Sequence, residues 1–233
     1  MNQILRFIRR AEIAARKRFG PEFKVQIQRP LQEHGTAYGG WTIDPAGVDS
    51  DSIVYSFGVG DDISFDLSLI ETFGCHVFAF DPTPKSIAWI DKQVLPPHFH
   101  FHGYGIAAHD GEAVFSPPLN PEHISYSLLT RPETMDAAVK APVYRLQTIM
   151  NCLGHSHIDI LKMDIEGAEY DVIEQLVAST LEIRQLLVEF HHRFAAVGWQ
   201  PTKTAVELLD QGGYKTFHIS PSGEEFSFLR ESS

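Results

Sequence analysis

The chain has 233 residues with 43% hydrophobic and 21% charged side chains, an ordinary globular balance that leaves room for one α/β domain with a full core. A formal net charge of -11 argues against nucleic acid as the main partner, since binders of phosphate backbones present a basic surface. Only two cysteines occur, Cys75 and Cys152, outside any C-x-x-C pair, which excludes zinc-finger and dithiol redox motifs. No segment approaches the ~20 apolar residues that span a bilayer, and no secretory signal opens the chain, so the expected setting is the cytoplasm.

Residues 1–20 read as an amphipathic helix, with Ile4, Leu5, Ile8, Ala11 and Ala15 at helical spacing among Arg6, Arg9, Arg10, Arg16, Lys17 and Arg18. Its apolar stripe is thin, which favours packing on the domain over lying in a membrane surface. Residues 22–50 look irregular and carry the cluster Tyr38-Gly39-Gly40-Trp41. Together these segments form an N-terminal unit, 1–50, ahead of a main domain over 51–233.

The main domain alternates strands and helices. Ile53–Phe57 is a short apolar strand that breaks into Gly58-Val59-Gly60, and 62–73 has helical periodicity. A second strand, Cys75–Phe80, ends at Asp81-Pro82 and is followed by a helix near 84–92. A strand lies near 98–106 and another at 111–116, ahead of a loop at 117–142 rich in Pro, Ser and Thr. Ile158–Met163 is a strand and 167–178 a helix; Leu186–Phe190 is a strand and 202–211 a helix. Tyr214–Ile219 and Glu225–Leu229 close the chain as a hairpin around Pro221-Ser222-Gly223. Such alternation predicts an α/β, doubly wound, mostly parallel sheet covered on both faces, with the terminal hairpin antiparallel.

Ligands of such sheets bind at the carboxyl ends of the strands. Gly58 and Gly60 let a ligand approach the backbone there, but Asp61 and Asp62 would repel a pyrophosphate and suit a cofactor with a cationic amino-acid end. Asp81 ends the next strand, where an acid accepts a ribose diol or caps its own turn. In Ile158–Glu169, Lys162, Asp164 and Glu166 share one side if the strand persists, while Glu169 reads as a helix N-terminal acid. Glu189 and His191 alternate onto one face at the end of the following strand. Asp164, Glu189 and a histidine then form either a proton-relay site or a hard-cation site for Mg²⁺ or Mn²⁺, or Glu189 and His191 only organise loops. His98, His100 and His102 alternate along a strand, read as an exposed edge rather than a metal face because no partner cluster is apparent. Tyr38 and Trp41 either lid a ligand or sit in a satellite core.

The glycine turn, FAFDPTP at Phe78–Pro84 and DILKMDIEGAEYDVI at Asp159–Ile173 together resemble the FkbM family of methyltransferases, over roughly 50–230. The likeness implies a class I, Rossmann-like methyltransferase fold with a seven-stranded sheet. It implies S-adenosylmethionine as donor and an oxygen acceptor on a small molecule, a sugar or a polyketide. By position, Phe57, Gly58, Gly60 and Asp62 belong to the cofactor site, with Gly58 and Gly60 at its methionine end. Asp81 and Pro82 border the ribose, Gly105 and Ile106 flank the adenine, and Asp164 borders the cofactor as well as the acceptor. Asp164, Glu166, Glu189 and His191 face the acceptor as catalytic candidates. Ser56 stands where the family usually has an acid, and Asp62 where it has a third glycine, so Asp61 or Asp62 would supply the contact to the methionine amine. His191, or a divalent metal held partly by Asp164 and Glu189, would take the acceptor's proton. Two other readings compete: a nicotinamide-dependent oxidoreductase and a non-catalytic ligand-binding domain on the same fold.

Overall fold

The computed structural model describes residues 22–117, 137–194 and 197–231. The N-terminal helix expectation and most of the 117–142 loop lie outside the described residues.

The described part of the N-terminal unit is not wholly irregular. β1 (Gln32–His34) and β2 (Trp41–Ile43) form an antiparallel pair, each too short to announce itself by alternation. This hairpin is bonded to the main sheet: Asp44 N–H donates to Gln185 Oε1 at 2.9 Å, and Gln185 Nε2 donates back to the Asp44 carbonyl at 2.8 Å.

β3 (Ile53–Phe57) enters the centre of the main sheet and is followed by α1 (Ser64–Phe73), β4 (His76–Phe80), α2 (Pro84–Ile90) and β5 (Phe99–His102). The predicted strand near 98–106 divides here. Its second piece, β6 (Gly105–Ile106), joins a separate three-stranded sheet with β7 (Gly111–Phe115) and β8 (Val139–Tyr144), in the order β6-β8-β7. β8 begins inside the 117–142 stretch read as loop and runs two residues beyond it, with Pro142 in its course, a residue that disfavours strands. α3 (Leu146–Leu153) was not predicted; Arg145 at its N-cap makes no side-chain capping bond, so no start signal marks it. β9 (His157–Met163), α4 (Glu169–Val177), β10 (Glu182–Glu189), α5 (Trp199–Gln211), β11 (Tyr214–Ile219) and β12 (Glu225–Arg230) complete the chain much as predicted.

The main sheet has seven strands in the order β11-β12-β10-β9-β3-β4-β5. β10, β9, β3, β4 and β5 are parallel, and β12 runs antiparallel to both β10 and β11. Alternation divides the core. Tyr55, Phe57, Leu161 and Met163 face α3, α4 and α5, while Val54, Val77, Ala79 and Ile160 face α1, α2 and the β1–β2 hairpin. The chain winds outward from β3 to β5, then crosses back to build β9 on the other side of β3. The sheet order reverses between β3 and β9, and the crevice a doubly wound sheet offers to ligands opens there.

Candidate active site

The turns leaving β3 and β9 touch at this switch point. Gly58 N–H donates to the Phe80 carbonyl at 3.0 Å, and Asp164 N–H donates to the Phe57 carbonyl at 3.1 Å. Gly58 has φ +84°, and a Cβ on it would lie 1.8 Å from the Asp164 carbonyl oxygen, so only glycine fits. Lys162, 7% exposed, reaches under the turn and donates to the carbonyls of Phe57 at 3.2 Å and Gly58 at 2.6 Å. Its ammonium also stands 5.7 Å from the centre of the Trp41 ring. The Phe57 side chain is buried and stacks on Phe80 at 4.3 Å, so any contribution it makes to a ligand site is indirect.

Asp81 braces the same turn. Its Oδ2 accepts Gly60 N–H at 3.0 Å, and its Oδ1 accepts the Thr83 N–H at 2.9 Å and hydroxyl at 2.6 Å. Three of roughly four acceptor positions on the carboxylate are thereby used. A Cβ on Gly105 would meet Pro82 Cγ at 3.1 Å, which sets Gly105 directly beside the Asp81-Pro82 turn. Ile106 is buried in the main core, so what it can offer a ligand is backbone.

Asp62 is held from two sides. Its Oδ1 accepts Ser64 N–H at 2.7 Å and its Oδ2 accepts the Thr36 hydroxyl at 2.8 Å. Burial pushes its carboxyl up, but these hydrogen bonds outweigh burial and hold it below the usual range. Thr36 N–H also donates to Ser64 Oγ at 2.9 Å, and Gly39 packs on the Asp62 carboxylate, where a Cβ would come within 2.7 Å. The 36–40 loop is thus strapped to the glycine turn. Trp41 is core, whereas Tyr38 stands 82% exposed at the rim. The Tyr38 hydroxyl is raised by loss of water around it and then by the charges of Asp61, Asp164, Glu189 and Glu166.

His191, following β10, is fully buried. Its Nδ1 lies 3.0 Å from Glu169 Oε1, which also accepts the His191 backbone N–H at 3.0 Å. Its Nε2 faces three carboxylates: Asp164 at 3.6 Å, Glu166 at 3.6 Å and Glu189 at 3.7 Å. The four catalytic candidates therefore come together. Glu166 arrives by a different route from the one expected: β9 ends at Met163, and Glu166 is turned back by a left-handed backbone at φ 52° rather than by strand alternation. Two residues with roles here carried no clear sequence signal. Glu169 stands in the first turn of α4 as expected and is also a buried partner that fixes the imidazole, its Oε2 accepting Gly167 N–H at 2.9 Å. Arg193 pairs with Glu189 and, at 3.4 Å, with Glu224. Asp164, Glu166 and His191 each place a ligand atom within 4.8 Å of the others, a set able to hold a divalent ion in which Glu166 takes the place expected for Glu189.

Charge follows from this crowding. Burial pulls the His191 imidazole down, but the hydrogen bond and charge of Glu169, helped by Glu189 and Asp164, outweigh it and raise the ring to about 9. Burial, then the Asp164 charge, raises Glu189 to about 7, and burial also raises Asp164. A raised histidine stabilises the fold fully below its unfolded value of 6.5 and loses that contribution as pH rises through about 9. A raised carboxyl behaves with the same sign, so the Glu189 contribution is full below 4.5 and fades through about 7. Thermal melts are therefore expected to fall steadily from pH 6 to 9.5. Glu189→Gln flattens the portion below about 7, and a melting temperature that climbs toward pH 9 would contradict the arrangement.

Residues 8–223 match a protein family described as a methyltransferase domain. The Homo sapiens protein described as probable methyltransferase-like protein 24 is 32% identical over 178 residues, covering 71% of this chain and 42% of that protein. The Rattus norvegicus protein of the same description is 32% identical over 143 residues, covering 59% of this chain and 32% of that one. The chain thus spans less than half the length of these curated relatives. Among solved structures, the Methanococcus jannaschii fibrillarin pre-rRNA processing protein superposes with a TM-score of 0.50 at 11% identity, over 91% of this chain and 100% of that one, a likeness of fold.

Proposed function

The chain belongs to the methyltransferase-domain family, and from that premise we propose that it methylates an oxygen of a small-molecule acceptor with S-adenosylmethionine as donor. Methyl transfer is the activity of the family, and the seven-strand order with β12 reversed is the class I, Rossmann-like arrangement expected of it. The finer kinship with FkbM enzymes rests on the Asp159–Ile173 segment. Among the described residues no helix is long and apolar enough to cross a membrane. The observation that carries the reading is the convergence of Asp164, Glu166 and Glu189 on His191 beside the glycine turn.

The chemistry of the residues present fits this cofactor. Carboxylates dominate the crevice, and Lys162 is spent on the Phe57 and Gly58 carbonyls, so a sulfonium with a free ammonium suits the site and a pyrophosphate does not. That favours the reading over a nicotinamide-dependent oxidoreductase. The Gly58–Gly60 turn would receive the methionine end. Both Asp62 oxygens are engaged, which leaves exposed Asp61 for the amine. Asp81 has one acceptor position left for a ribose hydroxyl, and Pro82 with Gly105 would border the adenine. When bound, the cofactor supplies a methyl group already activated on sulfur.

The chain's own part is to align the acceptor and receive its proton. Against burial, Glu169 raises the His191 ring to about 9, which favours its charged form over the role of base. We assign that role to the carboxylates of Asp164 and Glu189, both raised by burial, with His191 as the positive charge beside them. An imidazolium supplies the charge that a divalent ion would otherwise bring to Asp164 and Glu166, so turnover is expected to survive chelation. Tyr38 would flank the acceptor. Calorimetric titration with S-adenosylhomocysteine, alongside NAD, tests the donor. Micromolar binding of the first and none of the second is expected, and NAD binding with S-adenosylhomocysteine silent would overturn the proposal.

A further inference from the structure

Behind the glycine turn, between the sheet and α1, a buried acid takes no part in the chemistry above. Asp66 stands in the first turn of α1 and is 2% exposed. β3 and β9 pair in a register that sets Ser56 beside Lys162. Each follows by two positions a residue, Val54 or Ile160, that packs toward α1, so both side chains leave the sheet on that face. Ser56 is buried as well. Neither its hydroxyl nor Asp66 Oδ1 finds a partner of regular hydrogen-bond geometry, although the hydroxyl is close enough to help hold the Asp66 carboxyl down.

Lys162 brings a full charge into this dry space. An ammonium carries three hydrogens, and two of them go to the Phe57 and Gly58 carbonyls. Those carbonyls are neutral, and a buried cation that meets only neutral groups is costly. Of the nearby acids, Asp62 has both oxygens bonded to Ser64 and Thr36, and Asp164 faces His191. Asp66 is the acid left over, with an oxygen to spare on the face that Lys162 occupies. We propose that Asp66 is the buried counter-ion of Lys162 and, through it, a positioning residue for the Gly58 turn. The acid holds the ammonium beneath the turn, and the ammonium draws the Phe57 and Gly58 carbonyls inward, which fixes the shape offered to the methionine end of the cofactor. The inference rests on the proposed donor. Burial raises the Asp66 carboxyl to about 6, with the Lys162 charge the largest influence against it, so the charged form is favoured above that pH. Asp62, whose charge opposes that ionisation, and the Cys75 thiol, which Asp66 helps to raise, are the other titratable groups that feel it.

The test is calorimetric titration with S-adenosylhomocysteine of the full chain and of its Asp66→Asn, Lys162→Met and double variants. Asp66→Asn and Lys162→Met are each expected to weaken binding at least tenfold. The double variant is expected to bind no worse than Lys162→Met alone, because the acid then has no charge to hold, whereas a role in packing alone would make the two losses multiply. Wild-type affinity in Asp66→Asn, or multiplying losses, would overturn the role. Carbon-13 NMR of the Asp66 carboxyl needs neither ligand nor an Asp66 variant and serves if Asp66→Asn does not fold. Its midpoint is expected near pH 6 in the wild type and higher in Lys162→Met, and a midpoint that stays in place would overturn the pairing. A wild type silent toward S-adenosylhomocysteine would count against the donor reading alone, and the carboxyl titration would still decide for or against the pair.

Discussion

Gly58→Ala is expected to lower the melting temperature by about 6–12 °C and to abolish binding of S-adenosylhomocysteine. The added carbon would fall 1.8 Å from the Asp164 carbonyl oxygen, at a φ of +84° that disfavours any side chain. No rotamer change relieves a collision with backbone. The turns after β3 and β9 must part, and with them goes the grip of Lys162 on the Phe57 and Gly58 carbonyls. A cost of about 3 kcal/mol or more is the scale for such backbone clashes. Differential scanning calorimetry with a parallel titration checks it. Wild-type melting together with wild-type affinity would mean that the two turns are not in contact.

His191→Ala carries the second large effect, expected to destabilise by about 3–5 kcal/mol and to lower turnover at least a hundredfold. The loss would not come from a cavity alone. Glu169 is fully buried and shares both the ring and the backbone N–H of residue 191, so removing the ring leaves its charge with only backbone donors. Asp164, Glu166 and Glu189 lose the positive charge that lets them crowd together. A double variant, His191→Ala with Glu169→Gln, should recover a substantial part of the stability and none of the turnover. If the double variant is no more stable than the single one, the buried pair is not the origin of the loss.

The centre of the fold was legible because β3, β4, β9 and β10 are apolar on both faces and stop at glycines or acids. Those same stops marked the site: Gly58, Asp81, Asp164 and Glu189 all lie at carboxyl ends of strands. What escaped reading has physical reasons. Strands of three residues cannot show a period, Pro142 speaks against the strand it occupies, and an uncapped α3 has no start signal. Strand alternation was the wrong device for Glu166, whose left-handed backbone begins after the strand has ended. Glu169 looked like any acid at a helix start. That it closes on His191, 22 positions along, is a property of the packed sheet and α4 together. The carboxylates around His191 are likewise gathered only by folding.

The strap between Thr36, Asp62 and Ser64 bears on how this crevice can be redesigned. The rim loop and the donor turn share one carboxylate, so they are not exchangeable cassettes. A graft that replaces 36–40 wholesale would free Asp62, loosen the first turn of α1 and erode donor affinity along with acceptor preference. A library that keeps Thr36 and Gly39 and randomises Tyr38 alone avoids that linkage, because the Tyr38 side chain is largely exposed and the strap runs through its neighbours. Tyr38 is thus a single exposed position at which the rim can be varied while the strap to the glycine turn is kept.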